Sequence, residues 1–162
     1  MVKIFKLKGA SEKEKTLYCC LGESLYAVRI LEDALSHSIV LKKTEPYQKN
    51  EADTLLKVQR SYTFGKAIRI AKEESLLPKT LEIELSEFLK ERNWLIHKSI
   101  TENKNEYRTE SFYNNLFEQT KAITSKANEL RISIELDLIE YCEKKRIDMT
   151  NVKNDMNEHY GI

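Results

Sequence analysis

At 162 residues, 41% hydrophobic and 33% charged, the chain is long enough for one domain with a real core and has the balance of a surface-charged helical protein. A formal net charge of +1 excludes nucleic-acid binding through the field of the whole molecule, so any such contact must come from a local patch. Only two prolines and four glycines interrupt the chain, which argues against a loop-rich fold.

The start, Met1-Val2-Lys3-Ile4-Phe5-Lys6-Leu7-Lys8, alternates apolar and basic residues without the hydrophobic segment of a signal peptide. Residues 2–7 read as a short strand or ordered arm, with 1–10 as an N-terminal arm ahead of a helical bundle over 11–146. Ser11 and Glu14 have capping-box spacing and open a long helix. Its apolar stripe is Leu17, Leu21, Leu25, Val28, Leu31, Leu35 and Ile39, in steps of three and four. It should end near Lys43, because the residue before Pro46 disfavours helix and because Lys42 and Lys43 suit a helix C-terminus.

A second helical region spans about 51–73, with Leu55, Val58, Tyr62 and Ile68 apolar and a break near Thr63-Phe64-Gly65. Glu73 to Pro78 is a connector. A third helix starts near Lys79 and fades around Thr101, and the polar stretch Glu102–Thr109 reads as a loop. The last helix, Glu110 to Arg146, carries Leu116, Thr120, Ile123, Ala127, Leu130, Ile134, Asp137 or Leu138, and Tyr141 in a three-four rhythm. Such a stripe is long enough to pack along the whole bundle and into a partner subunit. Residues 147–162 are a polar tail, expected to be frayed or partner-dependent. The expected fold is therefore all-α, a bundle of four to five helices with a long C-terminal helix.

No apolar run approaches the roughly 20 residues that span a bilayer, so no membrane contact is expected and cytoplasm is the expected location. Cys19, Cys20 and Cys142 make neither a disulfide framework nor a Cys-x-x-Cys pair and read as small core residues. There is no glycine-rich phosphate loop, and His37, His97 and His159 are far apart in sequence, so neither a metal nor a cofactor is expected.

The informative stretch is Glu91-Arg92-Asn93-Trp94-Leu95-Ile96-His97. At about 100° per residue from Leu81, the apolar arc runs from Leu95 near 320° through Phe88 and Leu85 to Ile96 near 60°, and Arg92 falls in its middle near 20°. A charge on a packing face needs a partner, so Arg92 is either part of a polar site or one half of a structural ion pair. Asn93 and His97, four apart, stack on one flank of the arc. Trp94 lies opposite it with Ile83 and is expected to belong to a second buried surface.

Arg92-Asn93 followed by His97 after an interval of four residues from the Arg resembles the signature of HEPN domains, compact all-α bundles of four or five helices. The surrounding chain is similar to that family's wider pattern too: Phe64-Gly65-Lys66-Ala67-Ile68, then Leu77-Pro78, then Leu85, Leu89, Arg92, Asn93, Leu95 and His97. The resemblance covers about residues 62–100. It implies a homodimeric, metal-independent endoribonuclease in which two copies of the motif share one cleft, in a toxin–antitoxin, phage-defence or RNA-processing setting. It implies Arg92 and His97 as catalytic residues, with Asn93 orienting His97 or a phosphate. Single-stranded RNA and an antitoxin or regulatory protein are the implied partners. The chain departs from members whose Tyr two positions after the His accepts AMP, since Lys98 and Ser99 follow His97 here. The alternative is a non-catalytic interaction or dimerisation protein of the same fold, such as a partner or immunity subunit.

Overall fold

The capping box forms as its spacing predicts. The Ser11 hydroxyl accepts from the Glu14 amide at 3.3 Å, and the Ser11 amide donates to the Glu14 carboxylate at 2.7 Å. The structure is a computed structural model that describes residues 9–99, 101 and 109–161. Among the described residues there are six helices and no strand: α1 Glu12–Lys43, α2 Lys49–Arg60, α3 Phe64–Glu73, α4 Lys79–His97, α5 Glu110–Lys144 and α6 Thr150–Tyr160. The fold is an all-α bundle. The strand or arm expected at 2–7 and all of the loop expected over 102–109 except Thr109 lie outside the described residues; Thr109 caps α5, its hydroxyl accepting from the Phe112 amide. No described helix is long and apolar enough to cross a membrane.

The two long helices, α1 and α5, pack along each other and carry half of the main core, with α3, α4 and Leu77 supplying the rest. The α5 stripe is the expected one from Leu116 to Ile134, with Leu116, Thr120, Ile123, Ala127, Leu130 and Ile134 all buried; beyond it Ile139 is buried, while Asp137, Leu138 and Tyr141 are only partly covered. On α1 the stripe departs at one step. Leu25 is 45% exposed and Ser24 fully buried. A step of three or four from Leu21 stays on the same face; packing takes the step of three and seats a small side chain where the sequence favoured a leucine. The cysteines are also displaced from the core, Cys19 being exposed and Cys20 and Cys142 only partly covered. Cys19 lies about 200° around α1 from the buried Leu17, which turns it to the outer face.

The break in the second helical region falls at Ser61–Thr63, where the Thr63 hydroxyl accepts from the Lys66 amide and starts α3. Val58, expected on the buried stripe, is 42% exposed, and its neighbour Gln59 is buried instead. Gly65 sits where α3 meets α4, and a Cβ there would stand 3.3 Å from the Leu89 side chain. The glycine lets the two helices approach closely.

A two-point contact ties α2 to α1: Arg60 Nε and Nη2 donate to the Asp33 carboxylate at 2.6 and 3.1 Å. That Arg60 hydrogen bond holds the Asp33 carboxyl below its ordinary value of 3.8, against the opposing effect of burial and with help from the His37, Arg60 and Arg29 charges. A lowered folded value means that the stabilisation is full above the unfolded value and is lost as pH falls through the folded one. Arg60→Met is therefore expected to lower the melting temperature at neutral pH and to flatten its decline between about pH 5 and pH 2. Thermal melts across that range check this, and an unchanged acid limb would count against the Asp33–Arg60 contact.

At the far end of α1, the Lys42 side chain is only 5% exposed. Its ammonium pairs with Asp137 on α5 and donates to the Leu76 carbonyl in the α3–α4 connector at 2.6 Å. The Tyr141 hydroxyl donates to the Lys42 carbonyl at 3.2 Å. One side chain thus joins three elements.

The polar tail is not frayed over 150–160. Met149, Val152 and Met156 recur at three and four residues, and α6 buries Met156 against the end of α5. The Arg131 guanidinium lies 5.1 Å from the Tyr160 ring centre, and Lys153 pairs with Glu143.

Candidate functional site on α4

Pro78, with φ −57°, leads into α4 and fixes the entry of the chain, as its ring requires. Leu81, Leu85, Phe88 and Leu95 then bury one face. Arg92 lies on that face, 20% exposed, and its partner comes from α1: Nε donates to Glu32 Oε1 at 2.9 Å. Glu32 also accepts from Arg29 at 3.4 Å. The Arg92 Nη1 donates to Asn93 Oδ1 at 3.3 Å, so two N–H groups of the guanidinium are committed within the molecule. Glu32 was not legible as this partner, because its contact crosses sixty residues of sequence.

The C-terminal turn of α4 is closed locally. The amides of Lys98 and Ser99 both donate to the Trp94 carbonyl at 2.9 Å, and the buried Ser99 hydroxyl donates to the Leu95 carbonyl at 2.7 Å. These bonds hold the last helical residue, His97, in place while its side chain remains exposed.

A shallow groove of about 300 Å³ runs along this turn, lined by Lys90, Asn93, Trp94, His97 and Lys98. The structure therefore brings Asn93 and His97 together, as their four-residue spacing predicts. It does not bring Arg92 into the groove; Arg92 turns toward α1 and reaches the groove only through its hydrogen bond to Asn93. Lys90 and Lys98 are groove residues that the motif alone did not single out. Their signal was present in the sequence, each lying four residues from Trp94.

Trp94 is half-buried. It packs against the main core and against a second apolar cluster of Leu17, Phe112, Tyr113 and Leu116, where α1 and α5 begin. That is the second buried surface expected from the helical wheel. Ile83, its companion on the wheel, stays 50% exposed.

Chemically, the groove offers an exposed imidazole with two ring nitrogens, a carboxamide that can donate and accept, and two ammonium groups that attract anions. Among the described residues no three His, Cys, Asp or Glu side chains converge as a metal site requires. No family model, no curated protein and no solved structure matches this chain.

Proposed function

We propose that the chain is a metal-independent endoribonuclease that acts on single-stranded RNA as a homodimer, with His97 handling the proton. The observation that carries this reading is the exposed His97 beside Asn93 in a groove edged by Lys90 and Lys98. In the proposed reaction the 2′-oxygen of the RNA loses its proton to an imidazole and attacks the adjacent phosphorus. The bond to the 5′-oxygen breaks, a second imidazole returns a proton to it, and the products are a 2′,3′-cyclic phosphate and a 5′-hydroxyl. Two copies of His97 across one cleft would supply the two proton carriers. Arg92, held by Glu32 outside the groove, would act through its hydrogen bond to Asn93, orienting that carboxamide toward the phosphate.

The test is incubation with single-stranded RNA in EDTA. Cleavage to cyclic-phosphate ends with DNA left intact is expected, because DNA lacks the attacking hydroxyl. Cleavage that requires an added divalent cation, or a protein that is monomeric at micromolar concentration by light scattering, would contradict the proposal.

A second reading rests on the Arg92–Glu32 pair. A guanidinium engaged with a carboxylate of the neighbouring helix is a tie between α4 and α1, which is all that a non-catalytic interaction protein of this fold needs. No cleavage of any RNA by a folded, dimeric protein would favour it.

A further inference from the structure

We infer that the groove between the end of α5 and α6 is a docking site for a basic amphipathic helix of a partner protein. The α4 groove lies near Leu116 and this one near Glu135, roughly 28 Å further along α5, so the inference is independent of the ribonuclease reading. The groove has a volume of about 330 Å³ and two apolar banks. Leu138 and Ile139 of α5 form one. Met149, Val152, Met156 and Tyr160, at steps of three and four, form the other, a ridge about 16 Å long by helix rise. Met156 is the buried residue of α6, while Val152 stays 42% exposed in the groove wall. The Lys153–Glu143 pair and the Arg131–Tyr160 contact hold α6 at its edges and leave the apolar trough open between them.

A trough between two helical ridges accepts the ridge of a third helix, whose apolar side chains enter as anchors at three- and four-residue steps. Met149 and Met156 are two of the three methionines in the chain, and their unbranched thioethers adapt to anchors of different shape. Charge selects the kind of helix. The carboxylates of Glu135 and Asp155 line the groove, and no lysine or arginine is among its described lining residues. Asp155 is exposed and has no hydrogen bond or ion pair among the described residues, and Glu135 meets Arg131 at 3.9 Å, the outer limit of a pair. Lysine or arginine residues flanking the anchors would meet these two carboxylates. A phosphate backbone or an anionic lipid surface would be repelled by them. A second copy docked about a two-fold axis would set Glu135 and Asp155 of one protomer against the same acids of its partner, so the groove favours a basic helix of a different protein.

Because Met149 and Met156 line the groove, the methyl resonances of ¹³C-labelled methionine in the full chain report on it directly. The experiment titrates that protein with a synthetic leucine–lysine peptide, its leucines at three- and four-residue steps, and separately with the leucine–glutamate counterpart. Saturable shifts of both methyl resonances by the lysine peptide and not by the glutamate peptide are expected. Asp155→Lys and Val152→Asn should each weaken binding about tenfold, the first through charge and the second through lost apolar contact. Glu158→Lys makes the same charge change one turn along α6, outside the groove lining, and should stay within about twofold. All three positions are exposed, so the variants should fold and melt as the native chain does, and thermal melts check this. Equal binding of the glutamate peptide, equal effects of Asp155→Lys and Glu158→Lys, or methionine resonances that do not move would overturn the inference. Shifts that appear with protein concentration alone would give the groove to a second copy, and shifts with a short oligoadenylate would give it to nucleic acid; either result also overturns the inference.

Discussion

Replacing Lys42 with Met is expected to destabilise the protein by roughly 3–5 kcal/mol, a fall in melting temperature of about 10 °C or more for a chain of this size. The ammonium is almost wholly covered, and its removal leaves the Asp137 carboxylate and the Leu76 carbonyl without the partner that justifies their burial. In the sequence the same lysine reads only as a cation suited to a helix C-terminus, a contribution of about 0.3–1 kcal/mol. The two accounts differ severalfold, so a chemical-denaturation curve separates them. Adding Asp137→Leu to Lys42→Met should restore much of the loss, because the uncompensated carboxylate is then gone. A loss below about 1 kcal/mol for the single variant would show that the three-way tie does not form.

The second large effect concerns the motif. In the proposed chemistry, His97→Ala and Arg92→Ala should each lower kcat/KM for RNA cleavage by about 10²-fold or more, since one handles the proton and the other holds the Asn93 side chain beside it. Arg92→Lys should fail nearly as badly, because an ammonium cannot reproduce the planar, multi-donor grip on Glu32 and Asn93. Stability distinguishes the two residues. His97 is exposed, and its loss should move stability by no more than about 0.5 kcal/mol. Arg92→Ala strips Glu32 of a partner across the α1–α4 contact and should cost about 1–3 kcal/mol. An Arg92→Ala protein that melts earlier but cuts at the normal rate would assign the guanidinium to structure alone. Full-rate cleavage by His97→Ala would show the proton step to be wrong.

The long helices were legible because their signal is local. A three-four apolar rhythm sustained from Leu116 to Ile134, a Ser11–Glu14 cap and a Pro78 lead-in each act within a few residues. The misplaced charge of Arg92 was legible for the same reason, and so was its need for a partner. The identity of that partner was not, since Glu32 comes from another helix and nothing periodic links the two. Ile96 shows the complementary limit: it stands on the edge of the predicted apolar arc yet is 41% exposed, because the neighbouring helices cover a narrower arc than the hydrophobicity spans. The helical tail α6 was hidden by composition, as three apolar residues among many polar ones raise little signal until α5 offers them a surface. Lys90 and Lys98 carried a visible spacing around Trp94, but surface lysines are too common for spacing alone to mark them.

The pairing of α1 with α5 sets conditions on how the chain is made. The Leu31–Leu35–Ile39 stripe leaves the ribosome long before the segment that buries it against Ile123, Leu130 and Ile134 has been translated. At typical elongation rates the interval from the end of α1 to the end of α5 lasts about 5–20 s, during which only α2, α3 and α4 can cover part of that stripe. The chain thus makes the larger part of the cover for α1 late, so its yield in the cell should depend on chaperone supply more than its final stability suggests.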